Sequence, residues 1–163
     1  MNKINRKVEY ALIGLKHMRN KQPGELTTIK EICTAYGCPF DATSRVMQIM
    51  SQRGILRSEQ GAYGGYQITK DLSRVSLYDL VEMIMGPLGV AKCLHEDGES
   101  ACEIRGTCNI VSPVIALNRK LAEFYRSVTI AEILDSRPHS AVQSGRAAVT
   151  GLAAEAANLV GKE

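Results

Sequence analysis

Between Arg6 and Arg19 the apolar residues Val8, Ala11, Leu12, Leu15 and Met18 recur at steps of three and four, the period of an amphipathic helix. The run Gln22-Pro23-Gly24-Glu25 ends it. Thr28, followed three residues later by Glu31, reads as a capping box that opens a second, short helix, IKEICTAYG. After Gly37-Cys38-Pro39 a third helix begins at about Asp41, sets Val46, Ile49 and Met50 on one face, and stops at Gly54. Two short helices joined by a Gly-containing turn predict a helix-turn-helix. ILRSE and YQITK then read as short strands on either side of QGAYGG, where Gly61, Gly64 and Gly65 supply the positive φ and close approach that a tight wing needs. Ser76 with Asp79 caps the helix SLYDLVEMIM, which Gly86-Pro87 terminates. From Val111 to Val128 a stripe of Val114, Leu117, Leu121, Phe124, Tyr125 and Val128 is longer than a small domain needs for its own core. Thr129 and Glu132 cap a last short helix, IAEILD.

These patterns predict a mainly α chain: a winged helix-turn-helix with a small β-wing and a long C-terminal dimerisation helix. Residues 1–75 form the DNA-binding region, 76–135 the cysteine loop and dimerisation helix, and 136–163 an Ala-rich tail that reads as weak helix or disorder.

Composition sharpens the division. Residues 1–70 hold 11 Lys/Arg against 5 Asp/Glu, whereas residues 71–163 hold 9 against 12. A basic N-terminal half suits a polyanion, and double-stranded DNA is the expected partner of a helix-turn-helix. On this reading the helix from about 41 to 53 enters the major groove, with Arg45 and Arg53 on it and Arg57 just before the wing. The basic N-terminus lacks an apolar signal stretch, and no apolar run approaches membrane-spanning length, so the expected location is the cytoplasm, with no membrane partner.

In a reducing compartment, 5 cysteines suggest metal or redox chemistry before structural disulfides. Cys93, Cys102 and Cys108 crowd into one polar loop with the spacing C-x₈-C-x₅-C. A cysteine serving as a small hydrophobe belongs on an apolar helix face, whereas thiolates converging from a polar loop suit a soft metal or an iron–sulfur cluster. Cys33 falls beside Ile29 and Ile32 and reads as a buried hydrophobe; Cys38 reads as an exposed thiol near DNA.

In order along the chain, INRKVEYAL, the helix-turn-helix, the GAYGGY wing, VSLYDLVEMI, the three-cysteine loop and TIAEIL resemble the Rrf2 family of bacterial winged-helix regulators, in its IscR/NsrR-type iron–sulfur branch. The resemblance covers about residues 1–135. It implies a homodimer, promoter binding, usually repression, and an iron–sulfur cluster, [4Fe–4S] or [2Fe–2S], that senses redox state, nitric oxide or iron status. Cys93, Cys102 and Cys108 match its three thiolate ligands. The histidine that some members place three residues past the last cysteine is Val111 here, which cannot ligate iron. Glu9 stands where other members place an acidic ligand donated from the partner subunit, and His95 inside the loop is the competing candidate. DNA-facing positions carried over are Asp41, Thr43, Ser44, Arg45, Arg53, Arg57, Gln60 and Tyr63. Asp41, Ser44 and Arg45 in the reading helix and Gln60 in the wing depart from the residues of IscR-type members, so an operator sequence does not transfer.

Two other readings stay open. The three loop cysteines could form a disulfide switch, with Lys92 and Arg105 lowering a neighbouring thiol pKa. Three cysteines with His95 could instead hold structural zinc in an interaction module. The chain carries no Ser/His/Asp set, phosphate-binding loop or convincing carboxylate pair, so an enzyme is not expected.

Overall fold

The computed structural model of the protein describes residues 4–61, 63–94 and 102–135. The expectation for the tail 136–163 and the candidate His95 lie outside these residues. Six helices and one two-stranded sheet occur among them: α1 Arg6–Arg19, α2 Ile29–Tyr36, α3 Phe40–Gln52, β1 Leu56–Glu59, β2 Gly65–Ile68, α4 Leu77–Met85, α5 Val111–Ser127 and α6 Ile130–Asp135. No helix among the described residues is long and apolar enough to cross a membrane.

The three-and-four spacing in α1 buries Val8, Ala11, Leu15 and Met18 along one side. Gly14 lies on that side because α3 passes close: a Cβ there would stand 3.1 Å from Met47 Cε. Around this crossing gather Ile32 of α2, Val46 and Met50 of α3, Ile55, and Leu56 of β1. The same apolar cluster takes in Leu77, Leu80 and Ile84 of α4 with Ile130 and Leu134 of α6. Packing therefore runs continuously across position 75/76. Backbone bonds fasten the join, with Leu77 N donating to Val128 O and Ile130 N to Val75 O, both at 2.8 Å. From α1, Lys16 Nζ donates to Leu134 O, and Arg19 Nη2 pairs with Asp135 at 2.8 Å.

Three helix starts carry the expected caps, though not identically. Ser76/Asp79 and Thr129/Glu132 each make both halves of the box. Thr28 Oγ1 accepts from Glu31 N at 3.1 Å, but the Glu31 carboxylate turns away to His17 and Lys21. Only the forward half of that box forms.

The wing is antiparallel, with Leu56 opposite Ile68 and Glu59 opposite Gly65. Its second strand is held on the far side by Thr27, which exchanges backbone bonds of 2.9 and 2.8 Å with Tyr66. That exchange requires glycine at 65, where a Cβ would lie 2.8 Å from Thr27 O.

Helix α5 behaves differently. Of its 17 residues only Ala122 is buried. Tyr125 and the following Val128 pack on the core, while Ile110, Leu117 and Phe124 stay more than half exposed.

Candidate functional site

Helix α3 divides cleanly by burial. Thr43, Val46, Met47 and Met50 face the core, and Asp41, Arg45, Gln48 and Gln52 form an exposed stripe at i, i+4, i+7 and i+11. Phe40, Ser44 and Ser51 flank the stripe. Thr43 is a correction to the sequence reading: it is fully buried and its hydroxyl donates to Pro39 O at 2.8 Å, so it faces away from any duplex laid on the stripe. Gln48 and Gln52 were not among the expected DNA-facing residues. Their signal was available, because both fall on the face opposite the Val46/Met50 stripe, and glutamine suits bidentate pairing with adenine.

The start of α3 is rigidly set. Gly37 adopts φ 66° and its N–H closes α2 by donating to Cys33 O at 2.9 Å. Pro39 then caps α3 with its fixed φ. Across the helix, Lys7 of α1 joins Asp41 and Arg45 around a cavity of about 280 Å³ with a floor of Val46 and Ile49. Arg53 is exposed at the end of α3. Arg57 is exposed on β1 and pairs with Glu59 at 3.2 Å. Gln60 opens the wing turn, and Tyr63 stands 95% exposed at its tip. A large aromatic ring left wholly in solvent on a Gly-flanked tip is unusual for packing and apt for a partner surface.

A polar brace fixes α1 against α2. His17 Nε2 donates to Glu31 Oε1 at 2.8 Å, its Nδ1 lies 3.0 Å from Tyr36 Oη, and Lys21 Nζ lies 2.7 Å from Glu31. Burial raises the Glu31 pKa, but hydrogen bonds and charge from Lys21 and His17 outweigh it and hold the carboxyl below its ordinary value. Lys21 is the mirror case: burial lowers its pKa, and Glu31 with Glu25 drives it net upward.

The cysteine loop leaves α4 at Gly86 and returns at α5. Cys93 sits in a 3-10 turn at Lys92–Leu94; Cys102 and Cys108 bracket a turn in which Arg105 N donates to Cys102 O at 2.9 Å. All three are half-buried free thiols. No group of three metal-binding side chains is assembled among the described residues. Asn118 of α5 anchors the loop's first limb, accepting from Val90 N at 3.2 Å and donating to Leu88 O at 3.1 Å. Glu9 is half-exposed on α1 and pairs with Arg6 at 2.8 Å.

Of the remaining cysteines, Cys38 reverses its expected exposure and Cys33 is less buried than expected. Cys38 is buried, and burial with the nearby Cys33 pushes its pKa up; Cys33 is only half-buried. The turn at Gly37 tucks Cys38 inward beneath α2, which helical periodicity within α2 could not reveal.

Residues 4–136 match the family model for Rrf2, described as an iron-dependent transcriptional regulator. An HTH-type transcriptional regulator of Aquifex aeolicus is 24% identical over 131 residues, covering 78% of this chain and 88% of that protein. An rrf2-like HTH-type regulator of Rhodobacter capsulatus is 32% identical over 104 residues, 61% of this chain and 69% of that one. In fold, the chain resembles CymR, the global cysteine regulator of B. subtilis, with TM-score 0.61 and 21% identity over 82% of this chain and 97% of CymR. It likewise resembles T. potens IscR, with TM-score 0.55 and 18% identity over 82% and 86% of the two chains. With the winged helix-turn-helix built as described and the match spanning every element from α1 to α6, the chain belongs to the Rrf2 family of DNA-binding transcriptional regulators.

Proposed function

We propose that the protein is a cytoplasmic, homodimeric regulator, usually a repressor, that reads promoter DNA through α3 and the wing. Its DNA affinity follows an iron–sulfur group, [4Fe–4S] or [2Fe–2S], bound by Cys93, Cys102 and Cys108 with Glu9 of the partner subunit. The observation that carries this reading is the setting of the three thiols: free, half-buried, and strung on a loop none of whose described residues is buried. Three thiolates and a carboxylate are a donor set suited to such a group, with the oxygen-ligated iron the labile one. The group would supply sensitivity to redox state, nitric oxide or iron status.

The chain's own residues supply the coupling. Asn118 ties the loop to α5, and α4 at the loop's other end packs in the same core as α1 and α3. A change at the loop therefore bears on both the pairing helix and the reading helix. The apolar residues Ile110, Val114, Leu117, Leu121, Phe124 and Val128 step by four and three along α5, the repeat of a helix that pairs with another. A second copy of α5 would cover the exposed members. In such a dimer the two α3 helices would meet half-sites about 34 Å apart, and couplings of about 1–3 kcal/mol would change promoter occupancy several-fold to about a hundredfold. In this arrangement residues 1–75 read DNA and 76–135 sense and pair.

The test is the absorption spectrum with iron and sulfide content of anaerobically purified protein beside a Cys102→Ala variant. A brown wild type containing both elements and a colourless variant is expected. Wild type that stays free of iron and sulfide after reconstitution would overturn the cluster and move the reading to disulfide switching; stoichiometric zinc in colourless protein would point to the structural metal.

A further inference from the structure

We infer that Phe40 reads the C5-methyl group of a thymine in the operator, a role that rests on α3 being the helix that enters the major groove. Phe40 is the first residue of α3 and is 56% exposed. The chain has only 2 phenylalanines. The other, Phe124, falls on the α5 stripe that a second copy covers; Phe40 belongs to no such stripe. The core beneath α3 is filled by Val46, Met47 and Met50 without it.

Position and chemistry both narrow the partner. N-terminal residues of a recognition helix are the ones that reach base edges. A phenyl ring donates and accepts no hydrogen bond, so it gains little from phosphates or from the polar groups of adenine, guanine and cytosine. In the major groove the methyl of thymine is the apolar feature that such a ring matches. The backbone under Phe40 is already fixed by Gly37, by the Pro39 cap and by the Thr43 hydroxyl on Pro39 O. Ordering the ring on binding therefore costs little beyond its own rotamer. Beside it, Ser44 and Asp41 are short, leaving the ring the longest apolar group at that end of the helix.

Deoxyuridine differs from thymidine only by the methyl in question, which makes the test direct. Duplexes selected from a random pool by the full chain would be resynthesised with each dT replaced singly by dU, and affinities measured at one salt concentration. Wild type should lose about fourfold at one thymine per half-site, the worth of a single buried methyl-sized group. Phe40→Ala should bind the parent duplex more weakly and show no further loss at that thymine, whereas Gln48→Ala should keep the sensitivity. Thermal melting of Phe40→Ala checks its fold, with Phe40→Ser, which likewise removes the apolar contact, as the substitute if it is unstable. Tolerance of dU at every position by wild type, or an undiminished dU penalty in the Phe40 variant, would overturn the assignment. Wild type that selects no duplex above non-specific binding would defeat the DNA-reading role of α3 itself, a distinguishable failure that takes this inference with it.

Discussion

Helices α3 and α5 carry the same kind of apolar pattern and meet opposite fates. α3 spends 13 residues and buries four side chains against α1, α2, α4 and β1. α5 spends 17 and buries one, leaving Leu117 and Phe124 in solvent at 51% and 59%. Fully burying such side chains is worth about 1.5–3 kcal/mol each. A subunit that forgoes that stabilisation along one helix is incomplete in a way the winged helix is not. On the dimeric reading proposed above, the difference separates a part whose partners lie within the chain from one whose partner is a second copy.

The most severe way to break this contrast is at α5. Replacing Leu117 and Phe124 together by Asp should leave the subunit's own fold intact, since neither is buried, while dissociating the dimer in sedimentation experiments. Two half-sites would then no longer be engaged as a unit, and promoter affinity should fall on the order of 10²–10⁴-fold. A double variant that remains dimeric would show that α5 is not the pairing surface.

The converse substitution belongs in the winged helix. Leu15 is fully buried between α1 and its neighbours, and Leu15→Ala should cost about 2–5 kcal/mol of unfolding free energy in urea titrations. Because it leaves the α5 stripe untouched, the folded fraction should still dimerise. Loss of pairing at concentrations where the variant is folded would mean the two regions are less separable than their packing suggests.

Much of this contrast was legible in the sequence, and the reason differs by element. Helix bounds followed from periodicity plus caps: Ser76/Asp79 and Thr129/Glu132 fix their helix starts through local bonds that any sequence reading can see. Thr43 misled because its neighbours on α3 are surface residues by type, while its burial depends on Pro39 O being one turn back and on the core below. Cys38 is buried where an exposed thiol was expected because the left-handed turn at Gly37 redirects the chain, a tertiary matter. Glu31 left its capping role for His17 of α1 and Lys21 just beyond that helix, neither of which is local to α2. Cys93, Cys102 and Cys108 were legible as a set by residue type and spacing alone; the ligand geometry that the resemblance implies was not, because it includes a residue of a second chain.

The brace at Glu31 offers a smaller perturbation within the winged helix. Lys21 and His17 hold the Glu31 carboxyl below its ordinary value of 4.5 against the opposing effect of burial. A depressed acid contributes stability above that ordinary value and loses it as the pH falls through its lower folded value. The stability gap between wild type and Glu31→Gln should therefore be full near neutrality and close below about pH 4.5. With Glu31 37% exposed, solvent screening limits the gap to below about 1 kcal/mol. A gap that persists unchanged to pH 3 would assign Glu31 a packing role and no electrostatic one.

The smallest effect on stability bears most on the chemistry. Glu9 and Arg6 form an exposed pair one turn apart, worth about 0.2–0.5 kcal/mol, so Glu9→Gln and Arg6→Ala should melt almost as wild type does. If Glu9 serves the partner's thiols, Glu9→Gln should nevertheless lose iron and sulfide, and Arg6→Ala, which only frees the carboxylate, should not. The two subunits can then be set against each other. A heterodimer of a Glu9→Gln chain and a Cys102→Ala chain contains one complete donor set only if the carboxylate crosses the interface: the first chain has the thiols and the second the glutamate. Donation within a chain leaves both sets incomplete. Iron near half the wild-type content in that heterodimer would place Glu9 in trans, and none would place it in cis. Full iron in the Glu9→Gln homodimer would remove Glu9 from the ligand set altogether and return the fourth position to another donor.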